Sequence, residues 1–335
     1  MEVLIKFMEK HVLQWHITHK CNLRCLHCYQ EDYKQDLNFE EIRKVFFDYL
    51  NFLKKNKFKG HINITGGEPF LHPDFFKVIS MFEENNITFG ILTNGTLLNE
   101  EIVKKLSSYK KLSFVQISLD GTRRMHDEIR GKGNFKKAVG GIRLLNKYNI
   151  QSMVAFTAHK KNIHKLKAVI RLAKREKVKV FWADRLIPTN SYEDMLNTNE
   201  FMEMARLLHK ESVKAKESKR CVTDVRVNRA LMFLGGSNTI YHCSAGINLL
   251  TILANGDLLP CRRMPIVIGN TLVNSINELC ENSSTIKNLK KKEIPKECLK
   301  CYKADKCRGG LKCLTFSLTG KLYSKDVNCP INKEL

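Results

Sequence analysis

The stretch His19-Lys20-Cys21-Asn22-Leu23-Arg24-Cys25-Leu26-His27-Cys28-Tyr29, residues 19–29, directly follows the apolar segment Leu13–Thr18. A strand running straight into a loop of reactive side chains is typical of α/β proteins, whose ligands sit beyond the carboxyl ends of parallel strands. With three and two residues between them, the thiolates of Cys21, Cys25 and Cys28 can wrap one iron–sulfur cubane and leave one iron without a protein ligand. An open iron lets a substrate chelate it and receive an electron directly. A tetrahedral zinc site needs a fourth ligand, and His27 lies too close to Cys28 to supply it.

Outward from this loop, β-branched apolar segments alternate with amphipathic ones. Strands are expected at Leu13–Thr18, His61–Thr65, Thr88–Leu92, Phe114–Ser118, Ser152–Thr157 and Val178–Ala183. Helices are expected at Phe39–Lys54, opened by the capping-box pair Asn38 and Glu41, and at Pro73–Glu84, Glu100–Tyr109, Phe135–Tyr148 and Ile163–Glu176. Six βα units with short connections predict parallel strands joined by right-handed crossovers. Periodicity alone leaves both a partial barrel and an open doubly wound sheet standing. A charged helical stretch, Asn199–Lys219, leads away from them. After Arg220 come short strands, Gly-containing turns and dense cysteines. Residues 240–335 carry too little apolar periodicity for an independent core, so metal would have to substitute for it.

The chain has 335 residues, 43% of them hydrophobic, which allows a sizeable core. It lacks a run of 18 apolar residues and its start, MEVLIKFMEKHVLQW, offers no signal-peptide cleavage site, so a cytoplasmic protein with no membrane span is expected. Of twelve cysteines, three lie in the first loop and eight between Cys243 and Cys329, a clustering that favours metal over disulfides or scattered core thiols. A net charge of +23 allows an acidic peptide partner. Nucleic acid is unlikely as a partner, because Lys160-Lys161 and Lys290-Lys291-Lys292 have no flanking aromatic ladder on which bases would stack.

The spacing Cys21-x3-Cys25-x2-Cys28 resembles the signature of the radical S-adenosylmethionine (SAM) superfamily. Supporting segments follow in order on successive strands, over residues 12–190. Gly66-Gly67-Glu68-Pro69 resembles the segment that binds the SAM amino group: its glycines allow backbone approach, and the Glu68 carboxylate can face an ammonium. Thr93-Asn94-Gly95 follows the third strand, and Ser118-Leu119-Asp120-Gly121 resembles the ribose-contacting strand end. Arg130 is placed to pair with the SAM carboxylate, and Leu186, in Ala183–Pro188, falls where the family puts adenine-stacking backbone. The resemblance thus implies catalytic Cys21, Cys25 and Cys28 on a [4Fe–4S] cluster, with Tyr29, Gly66, Gly67, Glu68, Thr93, Asn94, Ser118, Asp120, Arg130 and Leu186 around SAM. Plainer roles exist for some: Asp184 and Arg185 can pair at a barrel rim, and His126 and Asp127 can cap the next helix.

The later cysteines resemble the SPASM extension of this superfamily, which carries auxiliary clusters and is named for maturases of subtilosin, pyrroloquinoline quinone, anaerobic sulfatases and mycofactocin. Asn255-Gly256, a type I′ hairpin signal, would fold Cys243 toward Cys261. The resemblance implies one [4Fe–4S] cluster on Cys243, Cys261 and Cys313, and an outer one on Cys298, Cys301, Cys307 and Cys329. The spacer Arg308-Gly309-Gly310-Leu311-Lys312 has five residues where the family usually has three. The extra cysteine of sulfatase-maturating relatives is replaced by Leu249, so the inner cluster either has an open iron or recruits Cys221 or Cys280. A zinc ribbon on Cys298, Cys301, Cys307 and Cys313 would leave Cys243, Cys261 and Cys329 unexplained. The implied fold is α/β: a partial (β/α)6 TIM-like barrel (residues 1–195), a helical linker (196–239) and a small cysteine-rich α+β SPASM domain (240–335).

The implied activity is that of a peptide maturase: an oxidoreductase that cleaves SAM, abstracts hydrogen from a peptide residue and forms a thioether or carbon–carbon crosslink. Arg262 and Arg263 follow Cys261 where sulfatase-maturating relatives have a basic Asp. That argues against formylglycine formation and for an acidic substrate. The expected partners are a precursor peptide with an acidic leader, a separate leader-recognition protein (twelve residues before Leu13 leave no room for a fused one) and an electron donor such as flavodoxin or ferredoxin. The alternatives are a SPASM enzyme acting on a small molecule such as a tetrapyrrole, and a non-enzymatic iron–sulfur carrier.

Overall fold

Leu13 and Trp15, Ile62 and Ile64, Phe89 and Ile91, Val115 and Ile117, and Val154 and Phe156 are all buried, and because each pair is two residues apart it shares one face of its strand, while Gln14, Asn63 and Gln116 point to the other. The computed structural model describes residues 9–30, 35–188 and 192–331, so the reading of the first eight residues lies outside it. The elements in order are β1 (Lys10–His16), α1 (Phe39–Asn56), β2 (Lys59–Thr65), α2 (Phe75–Glu84), β3 (Thr88–Thr93), α3 (Glu100–Leu106), β4 (Leu112–Ser118), α4 (Arg123–Arg130), α5 (Asn134–Lys147), β5 (Ser152–Ala158), α6 (Leu166–Arg175), β6 (Val180–Arg185), α7 (Thr198–Glu217) and β7 (Asp224–Arg226). Then come β8 (Leu249–Ile252), β9 (Asp257–Leu259), β10 (Gly269–Asn270), α8 (Ile276–Asn282), α9 (Ser284–Lys291), α10 (Ala304–Cys307) and α11 (Lys312–Thr319).

The sheet order is β10-β9-β8-β1-β2-β3-β4-β5-β6-β7, with neighbours from β8 through β7 all parallel. From β1 to β7 each strand lies beside its successor, without the reversal of order that defines a doubly wound sheet. The barrel reading is therefore the one adopted, and every β-to-α loop opens at one end. The capping box at Asn38 and Glu41 is present. Helix α4 was not anticipated; its polar sequence hides a buried pair, His126 and Ile129, that seats it at the barrel rim. The segment at 163–176 opens with a 3₁₀ turn, Ile163–Lys165, before α6.

The expectation that residues 240–335 form a core-poor unit needs correction. Strand β8 pairs with β1 from Val12↔Leu249 to Trp15↔Ile252, and Leu250, Ile252 and Leu258 belong to the barrel's own core. A smaller apolar cluster, including Ala230, Met264, Leu289, Leu311 and Leu314, surrounds Cys313. The β8–β9 hairpin forms, but with left-handed φ at Gly256 (86°) and not at Asn255, so its turn is not type I′.

The tail is tied back by a buried ion pair. Arg185, at the end of β6, donates to Asp326 Oδ1 and Oδ2 at 2.7 and 2.9 Å and to Asn328 Oδ1 at 2.8 Å. Removing one partner leaves a buried charge alone, which costs about 3–5 kcal/mol. Asp326→Ala should lower the apo chain's stability by about that much in urea unfolding, while Arg185→Met with Asp326→Leu should cost less.

Candidate functional site

The cysteine loop after β1 is fixed from below by the turn after β2. Gly67 N–H donates to the Thr18 carbonyl and Glu68 N–H to the Lys20 carbonyl, both at 2.8 Å. This contact requires glycine: a Cβ on Gly66 would stand 2.4 Å from the Thr18 oxygen, and one on Gly67 2.3 Å from the Lys20 oxygen. On another side, Asn94 Nδ2 donates to Asn22 Oδ1 at 2.9 Å, and Asn22 Nδ2 to Thr96 Oγ1 at 2.9 Å. From the α4 side, Arg130 Nη1 approaches Cys25 Sγ at 3.7 Å. Burial pushes the thiols of Cys21 and Cys25 up, while Arg130 pulls that of Cys25 down. Each of these thiols also feels the charge of Cys28, so the three sulfurs face a common region.

Several residues expected around SAM are engaged in holding this loop. Glu68 is fully buried, and its carboxylate accepts from Thr93 Oγ1 at 2.7 Å and from Asn94 N–H at 2.8 Å. It thereby braces β2 against β3. Burial raises it to about 7 despite these donors. Thr93 is likewise turned inward, its hydroxyl also accepting from Gly95 N–H at 3.0 Å. Arg130 Nε donates to Asp120 Oδ2 at 2.5 Å, and Asp120 Oδ1 accepts from Thr157 N–H at 2.8 Å. Against its complete burial, Arg130, His27 and the Thr157 amide hold Asp120 below the usual carboxylate range. Asp120 and Arg130 thus form a buried pair that steadies Cys25. Ser118 ends β4 half-buried, and Leu186 N–H donates to the Ala158 carbonyl at 2.9 Å. Tyr29 lies beneath Arg262, whose guanidinium carbon is 4.0 Å from the ring centroid.

His126 and Asp127 have separate roles. Asp127 caps α5, accepting from Phe135 N–H at 2.8 Å, whereas His126 is buried inside α4. Sequence reasoning missed a polar group beside the cysteine loop: His27 Nε2 stands 3.5 Å from Asp120 Oδ2, and its ring centroid is 5.7 Å from that of His159. Nothing in the spacing of His27 and His159 signals this contact, which the β5 register creates.

The later cysteines form two groups. Cys243, Cys261 and Cys313 feel one another's charge, and burial raises all three thiols. Gly246 N–H donates to the Pro260 carbonyl at 3.2 Å, which brings the segment after Cys243 onto that before Cys261. Cys298, Cys301, Cys307 and Cys329 line one cavity together with Gly309 and Asp326. The five-residue spacer is accommodated by left-handed φ at Arg308 (51°), Gly309 (85°) and Gly310 (82°). Leu311 N–H then donates to Asp326 Oδ2 at 2.8 Å. Cys280 is buried in α8 beside Asp48, and Cys221 precedes β7 at the opposite end of the strands, so neither joins the inner three. Among the described residues every cysteine is a free thiol, and no three His, Cys, Asp or Glu side chains converge as a single metal ion would require.

The Arg pair after Cys261 is also spoken for. Arg263 donates to Asp184 Oδ2 and to the Arg185 carbonyl, both at 2.7 Å, and Arg262 donates to the Tyr29 carbonyl at 3.1 Å. The pair docks the auxiliary region onto the barrel rim. The rim role foreseen for Asp184 and Arg185 holds, with partners from the tail and the Arg pair.

A strand-end cysteine loop on a parallel barrel, followed by two further thiol groups, defines a radical enzyme with auxiliary clusters, and the comparisons agree. Residues 15–173 match the radical SAM superfamily and residues 243–302 match the iron–sulfur cluster-binding SPASM domain, so both domains are present in this chain. Fe-coproporphyrin III synthase of Methanosarcina barkeri is 31% identical over 59% of this chain, which spans only 49% of that relative. AdoMet-dependent heme synthase of the same organism is 25% identical over 95% of both chains. The antilisterial bacteriocin subtilosin biosynthesis protein AlbA of Bacillus subtilis is 28% identical over 87% of this chain and 63% of its own length. In fold, the chain resembles Streptococcus suis SuiB bound to S-adenosylmethionine, with a TM-score of 0.77 at 17% identity over 96% of this chain and 78% of that one. Iron–sulfur clusters and SAM are therefore its cofactors.

Two outcomes are expected here. Gly67→Ala should lose the iron of the first loop while the later cysteines keep theirs, as read by iron analysis and visible absorption. A Glu68 pKa raised from 4.5 in the unfolded chain to about 7 in the folded one means that the folded state holds the extra proton across that window. Stability should therefore fall as pH rises through it, and this component should vanish in Glu68→Gln by apo-chain unfolding.

Proposed function

We propose that the chain is a peptide maturase that crosslinks a ribosomally made precursor oxidatively, through a thioether or a carbon–carbon bond. The supporting observation is its likeness, over 87% of its length, to a protein of subtilosin biosynthesis. In this reading Cys21, Cys25 and Cys28 hold the catalytic [4Fe–4S] cluster, and Tyr29, Gly66, Gly67, Glu68, Thr93, Asn94, Ser118, Asp120, Arg130 and Leu186 surround the SAM site. Cys243, Cys261 and Cys313 hold an inner auxiliary cluster, and Cys298, Cys301, Cys307 and Cys329 an outer one. When bound, the first cluster and SAM supply one-electron cleavage to a 5′-deoxyadenosyl radical able to take hydrogen from an unreactive C–H bond.

The chain's own residues position and shield this chemistry. The Gly67 and Glu68 amides and Asn94 hold the loop rigid, and the Asp120–Arg130 pair keeps a cation beside Cys25. Arg262 and Arg263 hold the inner thiols against the barrel mouth. We assign residues 1–195 to the barrel, 196–239 to the linker and 240–335 to the auxiliary region, which shares the barrel sheet through β8. The partners in this reading are a precursor peptide with an acidic leader, which the charge of +23 supports, a separate leader-recognition protein and an electron donor such as flavodoxin or ferredoxin, all in the cytoplasm. Among the described residues no helix is long and apolar enough to cross a membrane.

Heme-pathway chemistry on a tetrapyrrole is the second reading, favoured by the 95% coverage of both chains in the heme synthase comparison. Co-expression with the short open reading frame beside the gene, followed by mass spectrometry, separates the two. The peptide should lose two hydrogens per crosslink, and should not do so with Cys28→Ala. An unchanged peptide alongside intact SAM cleavage would favour the tetrapyrrole. The reconstituted chain should hold about twelve irons.

A further inference from the structure

Lys312 opens α11 and directly precedes Cys313, at the end of the five-residue spacer. It is 9% exposed, and its Nζ has no hydrogen-bond partner among the described residues. The ammonium stands 3.7 Å from the centroid of the Tyr323 ring, and the Tyr323 hydroxyl is itself fixed by the Asn288 carbonyl. The charges acting on it are first the Cys243 thiolate, then Arg308, which opposes, and Glu293. Burying an ammonium without an anion is costly, and an aromatic face offsets only part of that cost. Of the other cations near these thiols, Arg263 is matched by Asp184 and Arg185 by Asp326, and Arg262 lies over the Tyr29 ring. Lys312 adjoins Cys313 in the chain, so its unpartnered ammonium borders the space that the inner thiols face.

We propose that Lys312 is the counter-cation of the inner auxiliary cluster, a positioning residue that raises the cluster's reduction potential by favouring its more negative reduced form. The inference rests on assigning that cluster to Cys243, Cys261 and Cys313. A group carrying thiolate and sulfide charge gives the ammonium the anion it lacks. The cation in turn lowers the cost of adding an electron in a medium of low dielectric. Tyr323 holds the side chain in line from behind, and the left-handed turn at Gly309–Gly310 brings Lys312 to that position.

The test uses the full chain, reconstituted anaerobically, with redox titration followed by electron paramagnetic resonance and iron analysis. In Lys312→Met one auxiliary signal should become harder to reduce. At a fixed potential its reduced-to-oxidised ratio should fall about tenfold, equivalent to 59 mV for one electron. Lys312→Arg should stay near wild type. Loss of about four irons from Lys312→Met, with retention in Lys312→Arg, would also support the role. Unchanged potentials in Lys312→Met would overturn it. Equal shifts or equal iron loss in both variants would overturn it too, since the position would then supply packing and not charge. Cys313→Ala separates the two levels: if it keeps all its iron, the cysteine assignment fails and the inference with it.

Discussion

Two amide hydrogen bonds, from Gly67 to Thr18 and from Glu68 to Lys20, press the turn after β2 against the loop that carries Cys21, Cys25 and Cys28. Much of the site follows from that contact. It excludes side chains at two positions, so the loop has one resting place above the barrel. Glu68 is driven inward by the same turn, where it meets Thr93 and Asn94. Asn94 then reaches back to Asn22 inside the cysteine loop. The thiols are thereby braced from β2, β3 and α4 before any cofactor is bound, which limits the reorganisation that cofactor binding must impose.

The auxiliary region depends on the same barrel end. Asp184 and Arg185, neighbours at the end of β6, act in opposite directions: the carboxylate takes Arg263 beside Cys261, and the guanidinium takes Asp326 beside Cys329. One strand end thus sets the position of both later cysteine groups relative to the first. β8 reinforces this by extending the barrel sheet beside β1, the strand that leads into the cysteine loop. Electron transfer and substrate contact between clusters both depend on such fixed separations.

Much of this was legible in the sequence. The strand-then-cysteine order, the capping box at Asn38 and the strands after it arise from local periodicity and covalent spacing, which a sequence displays directly. The grouping of Cys243 with Cys313 and of Cys298 with Cys329 came from family resemblance. The protein contacts of Glu68, Asp120, Arg130, Arg262 and Arg263 were not legible, because each depends on a partner 10 to 233 residues away and on burial. A polar side chain beside a motif looks available to ligand until its protein partner is known. β8 was undervalued for a similar reason: a four-residue strand reads as apolar core only once it lies beside β1.

The central claim is that the first three cysteines hold a cluster with an iron open to SAM while the other two groups hold clusters of their own. Electron paramagnetic resonance of the dithionite-reduced chain, with and without SAM, tests it most directly. The account predicts that SAM alters one signal, and that this signal is absent from the Cys21→Ala/Cys25→Ala/Cys28→Ala variant while auxiliary signals persist. A SAM-induced change that survives in that variant would contradict the account.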